Sequence, residues 1–330
     1  MKAITFTKYG PAEVLQLSER PKPIAKDHEV LIRVHAAEAT KADVEMRRFK
    51  FAVKWFWLPL RMAFGITKPR QQILGGYFSG TVVETGKHVS QFRQGEEVFG
   101  ATGLKFGAYG EYVALPEDAT IVPKPSNMSF VDSAAVPLGG LNALHFLRLA
   151  ELKAGEQVLI NGAGGSIGAH AVQIAKSMGA RVTAVDSAIK ESFVRRMGAD
   201  CFIDYAAEDF AVKGQSFDVI FDMVPGSSYG ACIAALKSGG RYLVGNPRLS
   251  VMLRSVFTTR LSDKNVRFAF ARESKEELLA LKELIEAGKV TSIVDRVYAA
   301  EEAVDAHRRV ETEQRLGAVV IEIADLDACP

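Results

Sequence analysis

The sequence predicts an α/β protein in which a doubly wound parallel sheet carries a nucleotide site and a smaller, mostly β domain precedes it. Three observations carry this prediction. Val158, Leu159 and Ile160 form a short apolar run, as a fully buried strand does, and Asn161 and Gly162 end it. Gly162, Gly164, Gly165 and Gly168 then give G-x-G-G-x-x-G, after which Ile167, Ala171, Ile174, Ala175 and Met178 recur on one face of a helix. A second strand, RVTAVD at 181–186, ends in Asp186, 24 positions after Gly162.

This order of strand, glycine turn and helix is the context that a dinucleotide fingerprint requires. Glycine is needed because a Cβ would hold the backbone away from a pyrophosphate. The helix N-terminus offers unpaired N–H groups and a partial positive charge to the phosphates. A carboxylate ending the second strand is placed to accept hydrogen bonds from a ribose.

Composition narrows the class. At 330 residues the chain has room for two domains. Hydrophobic content of 48% and charge of 24% are those of a soluble globular protein, and a net charge of +2 argues neither for nucleic acid nor for acidic partners, so no nucleic-acid partner is expected. The opening MKAITFTKYG has no apolar run of signal-peptide length, and no uncharged apolar stretch approaches a membrane span. A cytoplasmic protein without stable membrane association is expected. Cys201, Cys232 and Cys329 are far apart and lack metal-site spacing, which fits a reducing compartment.

Residues 1 to about 125 read as mostly β. Segments 30–34, 80–85, 97–99 and 111–114 are short strands punctuated by glycines, as in a barrel-like domain. The stretch 46–75 interrupts them with Phe49, Phe51, Trp55, Phe56, Trp57, Leu58, Met62 and Phe64 among arginines and lysines. Three readings stand open for it: a helical insertion packing its aromatics on the barrel with lysines snorkelling outward, a lid over an apolar substrate, or a membrane-surface element. Pro59 limits any single helix through it. Residues 133–149 read as one helix crossing between domains. The strands expected beyond it are 157–161, 181–186, 201–204, 217–222, 241–245 and 266–271, with crossovers of helical length that make the sheet parallel. A helix at 274–287 follows. Strands at 292–298 and 318–323 around a helix at 301–310 have the character of the first domain, and 324–330 is a tail.

Several longer motifs resemble one known family. They are the opening MKAITFTKYG, GTVVETGKHVSQFRQGEEVFG at 80–100, GAYGEYV at 107–113, AAVPLGGLNALHFL, NGAGGSIGAHAVQIAK and MGADCFIDY. Together they resemble the medium-chain dehydrogenase/reductase superfamily on its zinc-free, quinone oxidoreductase side, from Met1 to about residue 323. The resemblance implies a GroES-like β-barrel domain (1–130, completed by 272–330), a Rossmann dinucleotide-binding domain (131–271), and an active-site cleft between them. It also implies hydride transfer from NAD(P)H, often onto an activated C=C bond or a quinone, with a carbonyl or alcohol oxidoreductase, or a non-catalytic NAD(P)H-binding protein, as alternatives.

Departures from the zinc enzymes of that superfamily are informative. Thr40 stands where their early-loop Cys would be, Tyr77 where their His would be, and no Cys lies near 137–139. The clustered cysteines of a structural zinc are missing as well. With no N or S ligands at those positions, no metal site is expected. Stabilising charge on the substrate oxygen then falls to hydrogen-bond donors. Tyr77 and Thr40 are the candidate donors, and Asp43 is a candidate to order the loop or relay a proton. For the cofactor, Gly162, Gly164, Gly165, Ser166 and Ile167 are expected at the pyrophosphate, and Asp186, Ser187 and Lys190 around the adenosine ribose. Tyr205 resembles a family tyrosine near the adenosine end. Val224, Gly245 and Asn246, at strand ends, and Asn142 complete the list toward the nicotinamide. Asp186 favours NADH, with NADPH the alternative. The substrate expected is a small apolar carbonyl or quinone. The edge strand at 266–271 predicts a homodimer.

Overall fold

The computed structural model describes every residue except 52–56, 209, 211–215, 246–247, 270–272 and 324–330. Trp55, Phe56, Asn246, Cys329, the end of the 266–271 strand and the tail therefore lie outside the described residues. The chain divides into two compact units, Met1–Leu138 with Glu273–Glu286 and Ser292–Pro330, and Gly139–Arg272 with Ala287–Thr291.

In chain order the first unit opens with strands β1 (Lys2–Thr5), β2 (Gln16–Glu19) and β3 (Glu29–Ala39) and helices α1 (Lys41–Arg48) and α2 (Trp57–Phe64). Strands β4 (Tyr77–Thr85), β5 (Glu97–Ala101), β6 (Tyr112–Pro116) and β7 (Ile121–Pro123) follow, then helix α3 (Phe130–Ala134). Helix α4 (Pro137–Leu149) leads into the second unit. That unit runs β8 (Gln157–Asn161), α5 (Ser166–Ser177), β9 (Arg181–Asp186), α6 (Glu191–Arg196), β10 (Cys201–Asp204) and β11 (Phe217–Asp222). It continues with α7 (Tyr229–Ala234), β12 (Leu236–Val244), α8 (Leu249–Leu261) and β13 (Asn265–Phe268). The chain then returns to the first unit as α9 (Lys275–Glu286), β14 (Val294–Ala299), α10 (Ala303–Glu311) and β15 (Ala318–Glu322).

The first unit is organised by β3. From Val30 to Ala37 it pairs with β4 on one side, while β6 pairs with its first half and β15 with its last four residues. Two register shifts against β4 bend it, which is how one strand serves two neighbours on the same edge. The expected strand 30–34 is thus an eleven-residue strand. Residues 131–138 belong here rather than to the dinucleotide-binding domain. The ring of Phe130 stacks on His35 at 4.0 Å, and Ser79 Oγ donates to the Phe130 carbonyl at 2.5 Å. The single helix expected at 133–149 is two. Val136 precedes a proline, which disfavours helical backbone there, and Pro137 starts α4, where its missing N–H costs nothing.

The second unit is a six-stranded parallel sheet in the order β10-β9-β8-β11-β12-β13. That is the doubly wound Rossmann order, with its topological switch between β8 and β11. Val158, Leu159, Ile160, Val219, Ile220 and Phe221 are all fully buried, as strands covered on both faces must be. Residues 287–291 pack with this unit, because the Gln173 amide brackets Thr291, accepting its N–H at 2.9 Å and donating to its carbonyl at 3.2 Å.

Candidate active site

At the β8–α5 turn each glycine meets a different constraint. Gly162 takes φ +85°, a left-handed conformation that turns the chain out of the strand. A Cβ on Gly168 would lie 2.2 Å from the Gly162 carbonyl oxygen, so this glycine lets the helix pack on the turn. A Cβ on Gly165 would meet nothing nearer than 3.7 Å. No neighbour requires glycine at 165, and the space it leaves open lies at the N-terminus of α5. Gly165 is the N-cap and no side chain caps the helix, leaving the first-turn N–H groups, including those of Ser166 and Ile167, to a ligand. Ser166 Oγ is buried without a hydrogen-bond partner. An open cradle, uncapped N–H groups and an orphaned hydroxyl fit a pyrophosphate.

The acid ending β9 is bound by its own surroundings. Asp186 Oδ2 accepts the Gly164 N–H at 2.7 Å, and Oδ1 accepts that of Ser187 at 2.8 Å. Lys190, buried rather than pointing to solvent, sets its Nζ 3.3 Å from Asp186 Oδ1. Its stem covers Gly164, where a Cβ would meet Lys190 Cδ at 2.3 Å. Tyr205 is 64% exposed and its N–H donates to the Asp186 carbonyl at 3.3 Å, which places it at this same strand end.

The other half of the switch point is built on Asp222, a residue that the sequence marks only as a strand end. Its Oδ1 accepts from Asn161 Nδ2 at 3.0 Å, Val224 N at 3.0 Å and Ser227 Oγ at 2.9 Å, and its Oδ2 accepts from Tyr242 Oη at 2.7 Å. Burial pushes the Asp222 carboxyl up against these four donors, and burial plus the adjacent carboxylate pushes the Tyr242 phenol far up. Val224 is left exposed above the carboxylate, and Gly245 N bonds the Asp222 carbonyl at 3.1 Å. Gly164, Gly165, Ser166, Asp186, Val224 and Gly245 are thus gathered at the carboxyl ends of β8, β9, β11 and β12. Asn142 lies on α4, half-buried.

In the first unit the three candidate reaction residues separate into two groups. Thr40 and Asp43 form a capping box at α1: Asp43 N donates to Thr40 Oγ1 at 3.0 Å and Thr40 N donates to Asp43 Oδ2 at 3.0 Å. Thr40 Oγ1 donates its own proton to Asp43 Oδ2 at 2.6 Å, and Gly75 N donates to Asp43 Oδ1 at 3.0 Å. Both residues are buried and their donors are committed. They hold the β3–α1 loop, the ordering role that the sequence left open to Asp43. Burial raises the Asp43 carboxyl, opposed by those hydrogen bonds. Tyr77 is different. It is half-buried at the start of β4, and its Oη donates to Glu273 Oε1 at 2.6 Å. Glu273 was invisible to sequence reasoning, being 196 residues away with no motif around it. Among the described residues no group of three or more His, Cys, Asp or Glu side chains is arranged to hold a metal ion.

The aromatic insertion divides between packing and exposure. Phe49 is buried in a left-handed conformation that ends α1, and Phe51 and Phe64 pack against the core of the first unit. The Arg61 guanidinium lies over the rings of Phe49 at 3.8 Å, Tyr9 at 4.7 Å and Trp57 at 5.4 Å. Pro59 sits in the first turn of α2, where proline is tolerated. Leu58 and Met62 are more than 60% exposed. Two of the six histidines, His170 and His307, are fully buried, and burial holds them neutral with pKa values near 4 and 3.

Comparison with known proteins agrees with this architecture. Residues 26–126 match the alcohol dehydrogenase GroES-like domain, and 197–321 match a model described as zinc-binding dehydrogenase. A 2-methylene-furan-3-one reductase of Solanum lycopersicum is 31% identical over 333 residues, covering 97% of this chain and 79% of that protein. An NADPH-dependent alkenal/one oxidoreductase of Arabidopsis thaliana is 30% identical over 337 residues, again 97% and 79%. The structure of a quinone oxidoreductase from Coxiella burnetii superposes with a TM-score of 0.85 at 32% identity, covering 98% of this chain and 99% of that one. The chain belongs to the medium-chain dehydrogenase/reductase superfamily, in its quinone oxidoreductase-like branch.

Proposed function

We propose that this protein is an NAD(P)H-dependent reductase of quinones or α,β-unsaturated carbonyls that works without zinc. The observation that carries the reading is the open cradle at Gly165 on an uncapped helix N-terminus, beside the Asp186–Lys190 pair. When bound there, the reduced nicotinamide cofactor supplies a hydride. Ser166 and the N–H groups of the α5 first turn hold the pyrophosphate. Asp186, Ser187, Lys190 and Tyr205 surround the adenosine ribose. Asn142, Val224 and Gly245 would border the nicotinamide. Tyr77 donates to the substrate oxygen as negative charge develops on it, and Thr40 and Asp43 keep the neighbouring loop in place. Names of the relatives support the substrate class, an alkenal or enone in two and a quinone in the third. A cytoplasmic location fits the cysteine usage, and among the described residues no helix is long and apolar enough to cross a membrane.

Two glycine substitutions separate binding from folding. Gly165→Val places a side chain in open space at an extended backbone, φ −87° and ψ 172°, so stability is retained while NAD(P)H affinity falls at least tenfold by fluorescence titration. Gly168→Ala drives a Cβ into backbone and lowers stability by about 1–3 kcal/mol in urea unfolding. Unchanged NAD(P)H binding in folded Gly165→Val would remove the cradle from the cofactor site.

For the nucleotide, we propose NADPH. The sequence expectation of NADH rested on Asp186 as the group closest to the ribose by sequence position. In the structure the carboxylate carries Lys190 as its counter-charge, and on our reading that lysine would meet a 2′-phosphate. A charged hydrogen bond is worth about 1.5–3 kcal/mol, or about tenfold to a hundredfold. Lys190→Ala should lower kcat/KM for NADPH by that factor and leave NADH within threefold. A wild-type enzyme that prefers NADH, with equal losses for both nucleotides in the variant, would return the choice to Asp186.

Zinc independence rests on the commitment of Thr40 to Asp43 and of Tyr77 to Glu273. The purified protein should hold no stoichiometric zinc and keep its activity in a strong chelator. About one zinc per chain, lost with activity on chelation, would overturn this.

For assembly we propose a homodimer formed through β13. Among the described residues that strand has β12 as its one neighbour, and the adjacent α8 leaves Leu249, Leu253, Phe257 and Leu261 exposed at four-residue spacing. Light scattering at micromolar concentration should give twice the 35.9 kDa chain mass. A monomer there would refute it.

A further inference from the structure

The hydrogen bond between Tyr77 and Glu273 poses a problem for a residue meant to donate to a substrate. A phenol has one proton. When Glu273 is a carboxylate, that proton is given to Oε1 and only lone pairs remain for any other group. When Glu273 carries a proton, its O–H can donate to Tyr77 Oη, and the phenol O–H is released toward another acceptor. The donor at Tyr77 is therefore switched by the state of Glu273.

The surroundings make both states accessible. Glu273 directly precedes Ser274, whose Oγ caps α9 by accepting the Glu277 N–H at 3.1 Å. Thr120 Oγ1 donates to the Glu273 carbonyl at 3.3 Å. The residue is thus held by backbone and cap, while its carboxyl has Tyr77 as hydrogen-bond partner. Burial pushes the Glu273 carboxyl up, against the opposing effect of the Tyr77 hydrogen bond. Burial and then the Glu273 charge push the Tyr77 phenol well up, and Glu38 of β3 and Asp43 of α1 add to this as carboxylates. Arg315 is coupled electrostatically to Glu38, with Glu313 and Asp295 beside it.

We propose that Tyr77 and Glu273 form a proton relay in which the Glu273 carboxylic acid replaces the proton that Tyr77 gives to the reduced substrate. The proposal rests on the reductase reading above. The substrate gains two electrons and one proton as a hydride from the reduced nicotinamide, and an enone becomes an enolate. The Tyr77 O–H bond then breaks and its proton forms an O–H bond on the enolate oxygen, giving the enol. Concurrently the Glu273 O–H bond breaks and its proton passes to Tyr77 Oη. Tyr77 ends neutral and Glu273 ends as a carboxylate, which water reprotonates. The enol becomes the saturated ketone in solution. Glu273 acts through Tyr77 and is a positioning and proton-supplying residue.

The sign of the pH dependence follows. The competent form has Glu273 protonated, so kcat is full below the folded pKa of Glu273 and falls as pH rises through it. Two independent measurements test this. The first is carbon-13 NMR of apo protein labelled at the glutamate side-chain carboxyl, with the Glu273 resonance assigned by its loss in Glu273→Gln. It should titrate above the ordinary glutamate value, and higher still in Tyr77→Phe, which removes the donor that favours the carboxylate. The second is the kcat profile with an enone. The wild-type limb should fall at the NMR pKa. Glu273→Gln should lose that limb and fall in kcat by about 10²-fold with KM within threefold, the usual scale of a lost general acid. Tyr77→Phe should fall equally, and the double variant no further. A wild-type limb and kcat retained in Glu273→Gln, or a Glu273 resonance indifferent to Tyr77→Phe, overturns the relay while leaving the reductase standing. A wild-type protein that reduces no quinone, enone or aldehyde with either nucleotide overturns the reductase reading and the relay with it, whatever the NMR coupling.

Discussion

A carboxylate taken out of water must be met by donors, and the second unit depends on how Asp222 meets that requirement. Its oxygens draw in the end of β8 through Asn161, the loop after β11 through Val224 and Ser227, and β12 through Tyr242. Leaving any such group unpaired in the interior costs about 1–3 kcal/mol. The strand ends that border the proposed nicotinamide position are therefore fixed to one another by a single charge. The exposed Val224 is held in place from below by the same N–H that satisfies Asp222.

The first unit applies the same rule at Asp43, with a different consequence. That carboxylate takes the Thr40 N–H, the Thr40 hydroxyl and the Gly75 N–H, tying the end of β3 and the start of α1 to the chain before β4. These donors, with the Tyr109 hydroxyl beside them, leave it as a fixture. Among the described residues Glu273 is met by one phenol, which leaves it unspent capacity. Asp222 and Asp43 hold structure because they are saturated, whereas Glu273 is suited to exchange a proton because it is not. The contrast lies in the number of donors that converge on each carboxylate.

At the ribose end a third arrangement appears. Asp186 is shared between backbone N–H groups and a buried ammonium, so its charge is balanced inside the protein. An acidic residue in this position is read from sequence as a ribose ligand. The balance of charge around it decides which nucleotide it accepts, and that balance depends on where the four-carbon stem of Lys190 turns. It turns inward, over Gly164.

Much of the fold was legible in the sequence, and for a definite reason. Strands β8, β9, β10 and β11 fall at the residues expected from the sequence; for the inner strands β8, β9 and β11 the reason is that a parallel sheet buried on both faces demands continuous apolar segments bounded by turn residues. The glycine pattern likewise announces its own turn, since each glycine answers to neighbours within a few residues. Elements set by contacts from elsewhere were read less well. β3 extends to Ala39 because β15, nearly 300 residues later, pairs with its last four residues. The helix at 133–149 broke at Pro137, a local signal that the apolar periodicity overrode. The split of the aromatic insertion into buried Phe49 and exposed Leu58 and Met62 depends on where the Arg61 guanidinium stacks. By itself the sequence determined the sheet, the glycine turn and the candidate residues on it, because those features are written in periodicity and local sterics. Only the tertiary structure decided that Thr40 and Asp43 close on each other, that Lys190 faces Asp186, and that Tyr77 meets Glu273. A hydrogen bond depends on the positions of two side chains at once, and for segments far apart in the chain those positions exist only after folding.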